Sequence, residues 1–484
     1  MSDNVAMAQL KQPGRLEIPI SRSENPYQVL AAQQTGLLLF RTLTKPYEGL
    51  QLIQVDTALQ QRWGGIIPLD PKLTLARQQS TTEKAFLLFH KFDFSEINFT
   101  LYEINLQNSN YSKYVIRNYI PFYPTNMQIT SRGVLIGGYY AGRIPVILFY
   151  DLITQRSKVL PGLFNEAGEL IQIRNNADNS FTIIINARNY NKQRTLWIKN
   201  YTTEGDLISS SILEPTENNS LLFGRIINEF SDRQLIAGVY GARNSDYSKG
   251  IFLARLDEES GQEIRYFPFA DLENFFKFMR ASRENRIKQR IERKKIHGKK
   301  IRFQYRFLVH EFVNYNDEYI LLGEAFYPKY KTIEQNLVYG LAPGRALIFD
   351  GYQYTHAVVL GFDKDGNLLW DNSFEINDVR TYNLQQFVKM SVQDDKIALL
   401  YLFDDQVRSK IIQDNRVLEG KNYRPLYMKP GYIDSFSTDN LNVSNLEYWY
   451  EGNFLAYGTQ ILSEGRGFGN RNRQLFFINK IRYD

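Results

Sequence analysis

Asp363, Asp365 and Asn367 stand at alternate positions beside Gly366 in the stretch AVVLGFDKDGNLLWDNSFE, Ala357 to Glu375. Side-chain oxygens at such a spacing are what a calcium loop uses. That loop needs ligands at its first, third and fifth positions, glycine at the sixth and a bidentate glutamate at the twelfth. Counted from Asp363, the glycine falls fourth and the twelfth residue is Phe374, so the register is wrong. The pattern predicts instead two strands, Ala357 to Phe362 and Asn367 to Phe374. An Asp-Lys-Asp-Gly turn joins them, with Gly366 taking the positive φ that a hairpin turn requires.

Other chemistry is sparse. The four histidines, His90, His297, His310 and His356, include no pair at metal-ligand spacing. His90 ends an apolar run and reads as a wall residue, and His297 belongs to a basic segment. No G-x-S-x-G elbow occurs. The acidic pairs Asp394-Asp395 and Asp404-Asp405 flank a predicted strand where turns belong, and as glycosidase carboxylates they are the weaker reading. EGRGFGNRNR, Glu464 to Arg473, imitates a phosphate loop, but no helix follows to present its amides, and it reads as a basic hairpin tip. Asp56-Thr57-Ala58 matches a short pattern on which some Bacteroidota glycosylate exported proteins. No catalytic residue, metal site or cofactor is expected.

Binding chemistry is better represented. DLENFFKFMRASRENRIKQRIERKKIHGKKIRF, Asp271 to Phe303, carries twelve basic residues between Lys277 and Arg302 against Glu284 and Glu292, a local net charge of +10 in a chain of +6. Leu272, Phe276, Met279, Ile287 and Ile291 fall on one stripe of a helix, capped by Asp271 or Asn274 and stopped by Gly298. Its cations Lys288, Arg290, Arg293, Lys294, Lys295, Lys299 and Lys300 are candidate partner-binding residues. A protein or an anionic membrane surface ranks before nucleic acid, which is not expected because no matching basic and aromatic groove occurs elsewhere. The bland alternative is a clamped surface helix with a solvated face. A second insertion, 327–356, is rich in Tyr, Pro and Gly and reads as a loop, with Tyr327, Tyr330 and Tyr339 as candidate contacts.

The elements that carry these segments recur. A first strand begins at Gly36, Lys84, Gly133, Ser180, Arg233, Glu318, Lys396 and Asn453, and a second strand with a turn follows most of them. The early spacing is roughly 48 residues, in the range of four-stranded propeller blades. The expected fold is therefore all-β: a single eight-bladed β-propeller, alternatively seven-bladed, with an inserted basic helical segment at 271–300. It occupies 14–484 after a tail or signal remnant at 1–13. Leu16 to Ser21 can pair with the last sheet and close the ring.

Composition fits that class. Tyr 32 and Phe 32 suit strands, and zero cysteines exclude disulfides, thiol catalysis and lipid attachment through a thiol. No apolar run approaches the roughly 18 residues of a membrane-spanning helix. Ala6-Met7-Ala8 has the small-x-small pattern a signal peptidase cuts, although the charged and apolar regions that should precede it are missing.

GEAFYPKY from Gly323, FDGYQYTHAVVLGFDKDGNLLWDNSFE from Phe349, and NLEYWYEGNFLAYGTQ with the closing FFINKIRYD resemble a group of uncharacterised exported β-propeller proteins of Bacteroidota. The resemblance covers mainly 318–484 and brings no catalytic residues. It implies a periplasmic location. One role it suggests there is an accessory or plug subunit of an outer-membrane complex, such as the type 9 secretion translocon. The expected function is thus a non-enzymatic interaction module with a large protein partner. The alternative is a propeller whose central funnel binds or cleaves a glycan or peptide.

Overall fold

The computed structural model describes residues 10–483 except 44–47, 92–96, 164–166, 230–232, 258–260, 336–343, 404, 427–435 and 465–471. Ala6-Met7-Ala8, Tyr339, Asp404 and most of EGRGFGNRNR lie outside the described residues. Eight separate antiparallel sheets follow one another along the chain, arranged as the blades of a propeller. Each of the eight anticipated strands is the second strand of its own blade, from Leu37–Leu43 in blade 1 to Asn453–Glu464 in blade 8. Eight blades, not seven, is the count.

The second and third strands are legible because each sheet is sandwiched between its neighbours. Leu37, Leu38, Leu39 and Phe40 are all buried, so the strand reads as an unbroken apolar run. Outer strands such as Gln61–Ile67 face water along most of their length and carry little signal. The third strand of blade 7, Gln406–Gln413, is QVRSKIIQ. Val407, Ser409, Ile411 and Ile412 are its buried residues, and the polar residues among them hide it from a search for apolar runs.

Ring closure runs through the termini. The strand Leu10–Ile20 pairs antiparallel with the last strand, Asn472–Tyr483, matching Leu16 with Ile478 and Ile18 with Phe476. The N-terminal segment thereby becomes the outer strand of blade 8. Residues 10–13 already belong to it, and the register shift between Lys11 and Gly14 carries Pro13, which has no N–H to give, past the ladder. Arg15 ties the closure together. Its guanidinium bonds Glu17 at 2.7 Å, Asn479 at 2.8 Å and Gln460 at 2.7 Å, and lies 4.4 Å from the Phe477 ring centroid.

The Asp-Lys-Asp-Gly segment is a turn between Gly344–Phe362 and Leu368–Glu375. Asp363 Oδ1 accepts the Asn367 amide at 2.8 Å, its Oδ2 accepts Asn367 Nδ2 at 2.8 Å, and Asp365 accepts Arg255 at 3.0 Å. The oxygens that imitate a calcium site are thus spent on the turn and on blade 5. Gly366 sits at φ +76°. Gly366→Ala is expected to cost about 1–2 kcal/mol, read as a lower urea midpoint with an unchanged m-value.

Because strand direction alternates within each blade, two kinds of connection share one face of the ring: those between blades, and those between second and third strands. The basic insertion, between blades 5 and 6, and the insertion within blade 6 both emerge on that face. No described helix is long and apolar enough to cross a membrane.

Candidate interaction face

The helix is shorter than its apolar spacing predicts. It runs Ala281–Ile296, with Arg280 at its N-cap and no side-chain cap. Asp271 and Asn274 do not cap it, and Leu272, Phe276 and Met279 lie in the turns before it. The segment before it is tied to blade 6 instead. The Asp371 carboxylate accepts the amides of Glu273 at 3.1 Å and Asn274 at 2.7 Å, Asn274 Nδ2 donates to the Asp371 carbonyl at 2.7 Å, and Ser373 Oγ donates to the Asn274 carbonyl at 2.8 Å. Burial pushes the Asp371 carboxyl above the usual carboxylate range, against the pull of those two amides.

The stripe still reaches one core. Leu272, Phe276 and Ile291 are buried, and Met279 and Ile287 partly so, in a cluster with Phe269, Phe275 and the facing sides of blades 5 and 6. The helix ends as predicted at Gly298, φ +60°. There the Lys299 amide reaches the Lys294 carbonyl at 2.8 Å and the Gly298 amide the Lys295 carbonyl at 3.0 Å, the paired bonds of a Schellman ending.

Beneath the insertion lies His356, fully buried. Phe278 stacks on its ring at 3.7 Å between centroids, and Phe275, Tyr305 and Phe307 meet it edge-on. Nδ1 is 2.9 Å from Thr355 Oγ1, and Nε2 has no partner among the described residues. Desolvation pushes the imidazole down to about 3. This histidine is a wall of the core, as is His90, buried in blade 2 with Nδ1 2.9 Å from the Lys91 carbonyl. His310 is buried against Glu324 at 2.6 Å, and His297 is the exposed C-cap of the helix.

The outer side of the helix is cationic. Of the seven anticipated residues, Lys288 is neutralised by Glu284 at 2.7 Å and Lys295 by Asp271 at 2.7 Å. Arg290, Arg293, Lys294, Lys299 and Lys300 make no ion pair among the described residues, and neither do Arg280, Arg283, Arg286 and Arg302. Nine positive charges, five within the helix and four in the segments at its two ends, therefore stand without an ion pair among the described residues.

The second insertion is not a loop. Residues 327–356 belong largely to two long strands of blade 6, Glu318–Gln335 and Gly344–Phe362, which pair from Tyr319↔Phe362 out to Gln335↔Gly344. Tyr, Thr and Ile favour the pleated sheet, and Pro328 is accommodated at a register shift. Tyr327 and Tyr330 are exposed, Tyr330 by 56%, with Leu347 and Ile348 exposed on the opposing strand. Tyr330, Phe349 and Tyr352 form a ring ladder with successive centroids 5.8 and 5.0 Å apart. Burial raises the Tyr305 hydroxyl above the usual tyrosine range, with smaller opposing influences from Arg283 on the helix and Tyr327 on the hairpin.

The described residues contain no group of three or more acidic or imidazole side chains able to hold a metal. No family model matches the chain and no curated protein matches it. Among solved structures, the chain is similar to the β-propeller domain of the Trilobed protease from Pyrococcus furiosus, at 12% identity and TM-score 0.38, covering 84% of this chain and 94% of that one. It is similar to the polysaccharide lyase Uly1 at 10% identity and TM-score 0.42, covering 98% and 100%. The WD40 domain of SCAP from fission yeast gives 8% identity and TM-score 0.42, covering 99% and 98%. Proteases, lyases and non-enzymatic propellers stand side by side at this distance. The fold defines the chain as a β-propeller, and the likeness carries no argument about activity.

Proposed function

We propose that the protein is a non-enzymatic β-propeller interaction module that docks on an acidic surface of a large protein partner. The supporting observation is the concentration of nine cations, none in an ion pair among the described residues, on the helix Ala281–Ile296 and its two flanks, an insertion fixed to blades 5 and 6 by the buried Phe275 and Phe276. Fixed charges on a rigid element steer association and set orientation. The hairpin of blade 6 rises on the same face and adds Tyr327 and Tyr330 as contact area that loses little entropy on binding. The finer assignment, a periplasmic accessory or plug subunit of an outer-membrane complex, rests on the sequence resemblance alone.

The test is affinity isolation of the tagged protein from gently solubilised cell envelopes, at low and high salt. Arg283→Glu, Arg286→Glu and Arg290→Glu together reverse three unpaired charges on exposed positions away from the last helical turn, leaving the thermal midpoint unchanged. The wild type is expected to recover a stoichiometric partner that salt weakens, because exposed charges are screened beyond about 8 Å at physiological ionic strength. The triple variant is expected to lose that partner at least tenfold. Equal recovery by the variant at low salt rules the helix out as the dock.

A further inference from the structure

The ring face that bears both insertions also opens a cavity of about 740 Å³ at the inner strands of blades 6, 7 and 8. Its volume is that of a small-molecule site. A second cavity of about 360 Å³, reaching Lys329 and Gln353 on the hairpin, shares the half-buried Phe387 and Phe403 with it. The two cavities lie side by side, with this aromatic pair as their common wall.

The wall of the larger cavity carries polar groups with capacity to spare. The side chains of Gln385, Asn442 and Asn445 are exposed there; those of Gln385 and Asn442 make no hydrogen bond among the described residues, and Asn445 bonds the Tyr457 hydroxyl. Each carboxamide offers two donors and an acceptor. Lys389 lies on the same wall, donates to the Gln386 carbonyl at 3.0 Å and makes no ion pair among the described residues, where two of its three N–H groups find no other acceptor. Burial holds its ammonium below the ordinary lysine range despite the pull of Glu447 and Glu324. Glu447, held at Oε1 by the Tyr457 hydroxyl at 2.7 Å, and Asp405 supply acceptors.

Donors and acceptors therefore alternate around aromatic faces, with one cation against two carboxylates and no positive surplus. A ligand with hydroxyls on its edge and C–H groups on its face meets both demands. We propose that this pair of cavities binds a neutral oligosaccharide, its rings stacked on Phe387 and Phe403 and its hydroxyls held by Gln385, Asn442, Asn445 and Lys389. The site is independent of the basic helix.

The experiment is calorimetric titration of the full chain with a panel of neutral hexasaccharides built on glucose, xylose, mannose, galactose and N-acetylglucosamine. A hexauronate and a Gly-Ser hexapeptide serve as comparisons. At least one neutral sugar is expected to bind, with the hexauronate and the peptide at least tenfold weaker. Phe403→Ala, and separately the double variant Asn442→Ala with Asn445→Ala, are each expected to weaken it at least tenfold. The exposed asparagines make the second variant safe for folding. The charge-reversed helix variant is expected to bind the sugar as the wild type does, which separates this site from the dock. No binding of any neutral sugar at millimolar concentration, tighter binding of the uronate or the peptide, or binding untouched by the asparagine variant overturns the assignment.

Discussion

Phe275→Ala is expected to lower the free energy of unfolding by about 3–5 kcal/mol, the range for large aromatic truncations in a packed core. Phe275 is fully buried although it lies in the insertion where positive charge is concentrated. Its ring stacks on Phe269 at 4.6 Å between centroids, meets Phe276 at 4.9 Å and stands edge-on to His356 at 4.9 Å. Truncation removes contacts on all of these sides at once. It leaves a space that the backbone around Asn274, fixed by the Asp371 carboxylate, cannot collapse to fill. Urea unfolding of the variant gives the number directly. A loss below about 1 kcal/mol would mean that the insertion merely leans on the ring. The same measurement on the charge-reversed helix is expected to show no change. Stability and docking therefore separate on two sides of one segment.

The second large effect is on pH. His356 is driven from its ordinary 6.5 down to about 3 by burial. The unfolded chain therefore takes up a proton below the ordinary value, while the folded chain does not until the depressed one is reached. Stability is fully present above the unfolded value and is lost as pH falls. The loss is about 1.4 kcal/mol per pH unit across that window, on the order of 5 kcal/mol in all. Carboxylates held low in the fold, such as Asp151 and Asp363, add their own losses under acid conditions. The difference between wild type and His356→Phe isolates the histidine. The phenylalanine ring fits an aromatic cage, carries no proton and is expected to flatten the profile between about pH 6 and 4. Equal slopes for the two proteins would show that the imidazole is not the group responsible.

Periodicity alone sufficed for the architecture. GLLLFRTL, KAFLLFHKF and their six counterparts are each buried on both faces, so the run of apolar residues is itself the record of a sheet packed between sheets. The turn at Asp363 was equally legible, because a glycine at the fourth position and an asparagine after it satisfy local backbone demands that no distant contact alters. The charge of the insertion is a count and needs no structure.

Other features depend on contacts far apart in sequence. The segment before Ala281 is held to blade 6 by Asp371, about a hundred positions away, which accepts the amides of Glu273 and Asn274. The Tyr-rich segment is a hairpin because its two halves find each other in register, which composition read as loop does not convey. Lys288 and Lys295 look like their neighbours in the sequence, and only their ion pairs to Glu284 and Asp271 remove them from the free charge. The cage of His356 and the cleft between blades 6 and 8 left no motif, since their residues come from separate strands and connections, each unremarkable where it stands. The sequence by itself determined the repeat, the turns and the concentration of positive charge, because these depend on residue type and near-neighbour spacing. Tertiary structure alone decided which charges stay unpaired and which side chains share a wall, because closing the ring brings together groups the chain keeps far apart.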